Sequence, residues 1–120
     1  MSKVYVYTRN SNAEAFEKGS SRETQIKKCR NYASIKDLTI SEVIEEQCSG
    51  QIPFERREKA FELLRKLKTN DHIICSHLDR FCRNTLSLLQ MIQKFKKKKI
   101  YLHFVDLNCE TTGSDAIGNV

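Results

Sequence analysis

A chain of 120 residues is long enough for one domain with a real core and too short for two. Hydrophobic residues make up 39% and charged residues 30%, which excludes a disordered or fibrous chain, and no long apolar run or leader-like segment argues for a membrane or secreted protein. The expected location is therefore the cytoplasm. Lys and Arg outnumber Asp and Glu by 21 to 15, a net charge of +6, which suits a polyanionic partner such as nucleic acid without identifying one.

Val4-Tyr5-Val6-Tyr7 is a short β-rich run and predicts a first strand, ending in the polar loop Thr8-Arg9-Asn10-Ser11-Asn12. Residues 13–20 fit either a helical turn or a loop, with Gly19 interrupting a helix there. Ser20 and Glu23 have capping-box spacing, and Ile26, Cys29 and Ala33 recur at helical spacing, so a helix is expected over 21–35 with Ser20 as its N-cap. Leu38 to Glu46 reads as a second strand, followed by a loop from Cys48 to Pro53, the chain's single proline. Ala60, Leu63, Leu64 and Leu67 define an amphipathic helix over about 56–68.

His72 to Leu78 predicts a third strand, apolar enough at its centre for a buried parallel position. Asp79 to Arg83 follows as a charged loop. Leu88, Leu89, Ile92 and Phe95, with Met91, mark a helix over about 84–98, and Ile100 to Val105 a fourth strand. Glu110 to Val120 is polar and without periodicity. Tyr5, Phe61, Phe95 and Phe104 fall on apolar faces and are expected in the core.

Strands alternating with helices predict an α/β fold: three layers, with a largely parallel four- to five-stranded sheet flanked by helices. Ligand sites in such folds form at the C-terminal ends of the strands. Three polar loops converge there: Arg9 to Ser11, Ser49-Gly50, and Asp79 to Arg83.

That edge gathers Ser11, Arg9, Arg57, Arg80 and Arg83, with Arg56 competing for the place of Arg57. Guanidinium forks match the non-bridging oxygens of a phosphate and stay charged at any working pH, and nearby cations ease loss of the serine proton during attack. His72, His77 and His103 fall in strands, away from where a Ser-His-Asp triad needs a base. Asp79 and Asp106 sit singly at different strand ends, so no two-metal centre is expected, and no cofactor is implied. The cysteines at 29, 48, 75, 82 and 109 include no C-x-x-C pair and no phosphatase-type loop, which leaves reduced thiols.

Four segments together resemble the resolvase/invertase family of serine site-specific recombinases, in its N-terminal catalytic domain. Tyr7-Thr8-Arg9-Asn10-Ser11 is similar to the family's Tyr-x-Arg-x-Ser motif, and Gln25 to the Gln at the start of its first helix. Cys48-Ser49-Gly50 with Arg57 matches its Ser-Gly loop and downstream Arg, and Leu78-Asp79-Arg80-Phe81-Cys82-Arg83-Asn84-Thr85 its Leu-Asp-Arg signature. The resemblance implies that Ser11 attacks the DNA phosphate to form a 5′-phosphoserine link. It implies that Arg9, Arg57 and Arg80 hold the phosphate, that Arg83 and Gln25 support the site, and that Asp79 orients an arginine or helps proton transfer. It implies no metal or other cofactor. The implied partners are a double-stranded crossover site and further copies of the protein, as a dimer and then a tetramer at synapsis, with no membrane.

The sequence departs from the family pattern in three places. Glu58 stands where Pro commonly follows the arginine, so spacing to Asp79 selects Arg57 over Arg56. The span from Ser11 to Gln25 is longer than in the shortest members. The chain also stops where the family continues into a dimerisation helix and a DNA-binding region, so the expected domain is 1–120, truncated before both.

Plainer readings stand beside these. Ser11 suits a turn, Asp79 a helix N-cap, Arg80 and Arg83 solvated ion pairs, and the run Lys94 to Lys99 a solvated helix end favoured by the macrodipole. A module of the same fold associated with DNA but without catalysis is the alternative function. A receiver-like signalling domain would need an acidic pocket after strand one, where this chain is basic.

Overall fold

The computed structural model describes residues 2–10, 19–77, 81, 85–107 and 109–110. Their elements run β1 Val4–Asn10, α1 Gly19–Ile35, β2 Glu42–Gln47, a 3-10 turn Phe54–Arg56, α2 Glu58–Lys66, β3 His72–Cys75, α3 Thr85–Lys98, β4 Tyr101–Phe104, a second 3-10 turn Val105–Leu107 and β5 Cys109–Glu110. They form a three-layer α/β domain around a five-stranded sheet of order β2-β1-β3-β4-β5. β1, β2, β3 and β4 are mutually parallel, and β5 joins β4 antiparallel.

Strand order explains the layers. From β1 the chain crosses to β2 on one side, and from β2 it returns past β1 to β3 and then β4 on the other. Right-handed crossovers therefore place α1 on one face of the sheet and α2 and α3 on the opposite face. The side-chain period of two divides β1 accordingly. Val4 and Val6 pack with Cys29, Tyr32, Ala33 and Ile74 under α1. Tyr5 and Tyr7 pack with Leu63, Ile73, Leu88, Ile92 and Phe95 beneath α2 and α3. Because β1 is central, all seven of its residues are buried, including Thr8, Arg9 and Asn10.

Several sequence expectations shift. β1 continues through Asn10, so Thr8 to Asn10 are strand and not loop: they extend the parallel pairing with β2, opposite Glu45, Glu46 and Gln47, beyond the point where β3 ends at Cys75. α1 starts at Gly19, which puts Ser20 inside the helix and not at its N-cap. β2 starts at Glu42 instead of Leu38 because Leu38 closes α1. Asp37 adopts φ 59, its N–H donates to Ser34 O, and the Leu38 N–H donates to Ala33 O. This is a Schellman stop with Leu38 as its apolar residue. α3 ends the same way at Lys99, φ 60, with the Ile100 N–H donating to Phe95 O, so β4 begins at Tyr101.

The second helix is shorter than expected: Phe54–Arg56 forms a separate 3-10 turn, and α2 begins after Arg57. β3 stops at Cys75, leaving Ser76 and His77 beyond it. Phe61 is 51% exposed, against the expectation that it is core, and Leu89, one of the residues that marked the third helix, is 41% exposed. α2 and α3 each present only one stripe to the sheet, taken up by Ala60 and Leu63, and by Leu88, Met91, Ile92 and Phe95. Tyr5, Phe95 and Phe104 are buried as expected. The expected strand Ile100 to Val105 narrows to four residues, and the pairing of Cys109–Glu110 was not foreseen because two residues carry no periodicity.

Candidate active site

The direction of crossing reverses at β1, and a doubly wound sheet opens a crevice at the C-terminal end of such a strand. Arg9 lies there. Its side chain is 1% exposed, and its Nη1 donates to Cys48 O at 2.9 Å, which ties the end of β1 to the loop after β2. Arg9 shares the face of Tyr5 and Tyr7, whereas Asn10 points toward α1.

Arg57 enters from the opposite end of that loop. It sits between the 3-10 turn and α2, at φ −74 and ψ 138, and is 2% exposed. Its Nε donates to Ile52 O at 3.0 Å, its Nη2 to Gly50 O at 3.4 Å, and its Nη1 to the Tyr7 hydroxyl at 3.2 Å. The guanidinium also lies 5.7 Å from the centroid of the Phe54 ring. Arg56 is exposed, so burial distinguishes the two neighbouring arginines. The loop from Ser49 to Pro53 is thus wrapped around one planar fork, which a lysine could not provide.

Gln25 closes the site from α1. Its Nε2 donates to Asn10 Oδ1 at 2.6 Å and approaches Arg9 O at 3.5 Å, and its Oε1 accepts from Ser76 Oγ at 3.4 Å. His77 Nδ1 lies 3.1 Å from Ser76 Oγ. One amide therefore joins α1 to the ends of β1 and β3. Placing His77 in strand three hid its position at this edge.

The structure brings Arg9, Arg57 and Gln25 together around the end of β1. Ser11, Asp79, Arg80 and Arg83 lie outside the described residues. Sequence reasoning missed Tyr7, Asn10, Glu46 and Ser76 as members of the network. The alternation of β1 puts Tyr7 on the face of Arg9, and that of β2 puts Glu46 on the face of Ile44, so both were open to a parity argument. Ser76 and Asn10 carried no such signal.

The described thiols are not activated. Burial pushes Cys48 up, partly opposed by Arg57 and Arg9. Burial pushes Cys29 up to about 12 and raises Cys75 well above its ordinary range. Among the described residues no group of three or more His, Cys, Asp or Glu could hold a metal ion, and no helix is long and apolar enough to cross a membrane.

Two buried guanidiniums, Arg9 and Arg57, thus lie beside the end of β1, at the switch point of a doubly wound α/β sheet. The chain belongs to the resolvase N-terminal domain family, the catalytic domain of serine recombinases, whose pattern matches residues 4–119. It is 26% identical over 107 residues to the Transposon Tn2501 resolvase of Escherichia coli, covering 89% of this chain and 52% of that protein, so the chain spans about half the length of this relative. The N-terminal catalytic domain of TP901-1 integrase superposes with a TM-score of 0.77 at 27% identity, covering 97% of this chain and 85% of that one. A resolvase family site-specific recombinase from Streptococcus pneumoniae shares the fold with a TM-score of 0.69 at 21% identity, over 96% of this chain and 79% of its own.

Proposed function

We propose that this domain cleaves and rejoins DNA at a specific site through a covalent 5′-phosphoserine intermediate on Ser11. The observation that carries the reading is the pair of buried arginines, Arg9 and Arg57, at the end of the strand that leads into Ser11.

Ser11 Oγ attacks the scissile phosphorus and the bond from phosphorus to the 3′ oxygen breaks. The serine proton is lost, and the departing oxygen gains one to become a 3′ hydroxyl. One phosphodiester replaces another, so rejoining is the reverse attack and draws on no ATP. Charge accumulates on the non-bridging oxygens, and fixed guanidiniums lower its energy without reorganising. Arg9, Arg57 and Arg80 fill this role, with Arg83 and Gln25 in support. Asp79 orients an arginine or assists the proton reaching the leaving oxygen. The substrate is a double-stranded crossover site in the cytoplasm, and the full-length protein pairs as dimers that meet in a tetramer.

The test is covalent capture. Full-length protein is incubated with a nicked duplex spanning the junction of the element that encodes it, and peptides joined to DNA are sought by mass spectrometry. An adduct on Ser11, absent from Ser11→Ala, is expected. Site binding without any adduct would instead support a DNA-associated module that does not cut.

A further inference from the structure

We propose that Tyr7 and Glu46 are positioning residues for Arg57, a hydrogen-bonded relay that sets the guanidinium's angle toward the phosphate. The inference rests on the proposed function, deepens it, and draws on contacts among side chains from β1, β2 and the start of α2.

The Tyr7 ring is fully buried and packs edge-on to Phe54, with centroids 5.0 Å apart. Its hydroxyl lies 3.3 Å from Glu46 Oε1 and 3.2 Å from Arg57 Nη1. Arg57 has no acceptor, so it donates to the phenol oxygen. The phenol has one hydrogen, which Glu46 accepts. Burial raises the Tyr7 pKa well above its ordinary value, so that hydrogen stays in place. The relay therefore has one direction: Arg57 to Tyr7 to Glu46.

Glu46 grips Arg57 a second way. Its Oε2 accepts from the Lys59 N–H at 3.1 Å and its Oε1 from the Ala60 N–H at 2.9 Å. These are amides of the first turn of α2, where a carboxylate is favoured by otherwise unpaired donors and by the helix dipole. Arg57 is the residue directly before that turn. One buried carboxylate thus fixes the backbone on which Arg57 sits and, through Tyr7, the plane of its side chain. Glu46 is also the register partner of Arg9 across β1 and β2, so the same strand pair spaces both arginines. A misplacement of a transition-state group by about 1 Å is worth on the order of a hundredfold in rate, and this relay supplies the restraint.

Two measurements test the relay. The first is hydrogen exchange at the Arg57 side-chain N–H groups by nuclear magnetic resonance in wild type, Tyr7→Phe and Glu46→Gln. Both variants are expected to speed exchange at least about tenfold while the backbone spectrum stays that of the fold. The second is the rate of Ser11 adduct formation on the nicked junction duplex at saturating DNA. Tyr7→Phe is expected to slow it about tenfold or more with unchanged DNA affinity, and to have no further effect in an Arg57→Ala background.

Wild-type exchange in Tyr7→Phe overturns the relay, as does a Tyr7→Phe loss of equal size with Arg57 absent. If even the wild type forms no adduct, the recombinase reading fails, and the exchange measurement alone decides whether Tyr7 and Glu46 hold Arg57.

Discussion

Tyr32 Oη on α1 lies 2.8 Å from His103 Nδ1 on β4, and the other ring nitrogen of His103 lies 2.9 Å from His72 Nδ1 on β3. The contacts bridge the helix layer to the two strands beneath it, and His103 is almost fully buried. The imidazole is lowered to about 3, by burial first and then by the neighbouring His72 and Lys36. Three aromatic groups that look unrelated in sequence are one hydrogen-bonded chain, and it is sensitive to acid.

Its protonation is linked to folding. The unfolded imidazole takes a proton near pH 6.5 and the folded one only near 3, so between these values the unfolded state binds more protons. The contribution is complete above about pH 6.5 and is lost as pH falls toward 3. At about 1.4 kcal/mol per pH unit the loss is on the order of 5 kcal/mol across that window. Urea unfolding at pH 7.5, 6, 5 and 4.5 should show wild-type stability dropping more steeply than that of His103→Asn. Parallel curves for the two proteins would remove His103 from the account.

Arg57 and Arg56 should differ sharply although they are adjacent. Arg57→Ala strips donors from Ile52 O, Gly50 O and the Tyr7 hydroxyl inside the fold, and should cost about 3 kcal/mol. Arg56→Ala, on the surface, should stay within about 0.5 kcal/mol of wild type. Thermal and urea melts of the two variants decide this, and equal costs would contradict the environment described for Arg57.

Phe61 and Leu63 offer a similar contrast on α2. Phe61 is half exposed, with Arg65 at 6.0 Å from its ring centroid, whereas Leu63 is fully buried. Leu63→Ala should cost about 2–5 kcal/mol and Phe61→Ala under about 1 kcal/mol in denaturant titrations. A Phe61→Ala cost matching that of Leu63→Ala would mean that the helix faces are rotated.

Lys99 holds φ 60 at the stop of α3, where a side chain is disfavoured and glycine is not. Lys99→Gly should raise stability by about 0.5–1 kcal/mol, read as a melting-temperature increase of a few degrees. A decrease would show that Lys99 makes contacts outweighing its backbone cost.

Much of the domain is legible from local pattern alone. The apolar runs of β1, β3 and β4 and the 3.6-residue stripes of α2 and α3 determine alternating strands and helices, and with them a mostly parallel sheet. The order of the arginine and Ser-Gly segments, on strand ends, also marked the edge where Arg9 and Arg57 meet. Residue type and spacing carry that information, because a buried strand or an amphipathic helix needs only its own side chains to declare itself.

The remainder depended on contacts between distant residues. Thr8 to Asn10 look like loop, yet pairing with Glu45 to Gln47 of β2 makes them strand. Leu38 and Ile100 look like strand, yet each closes a helix whose stop rests on a positive φ at a non-glycine residue. Phe61 is as apolar as Leu63, and only the rotation of α2 against the sheet separates them. Arg57, Tyr7 and Glu46 are far apart in the chain, and nothing local records that one hydroxyl joins them. Burial turns these polar groups into a network because each would be costly in the core without the others, and only the assembled tertiary structure brings them within reach.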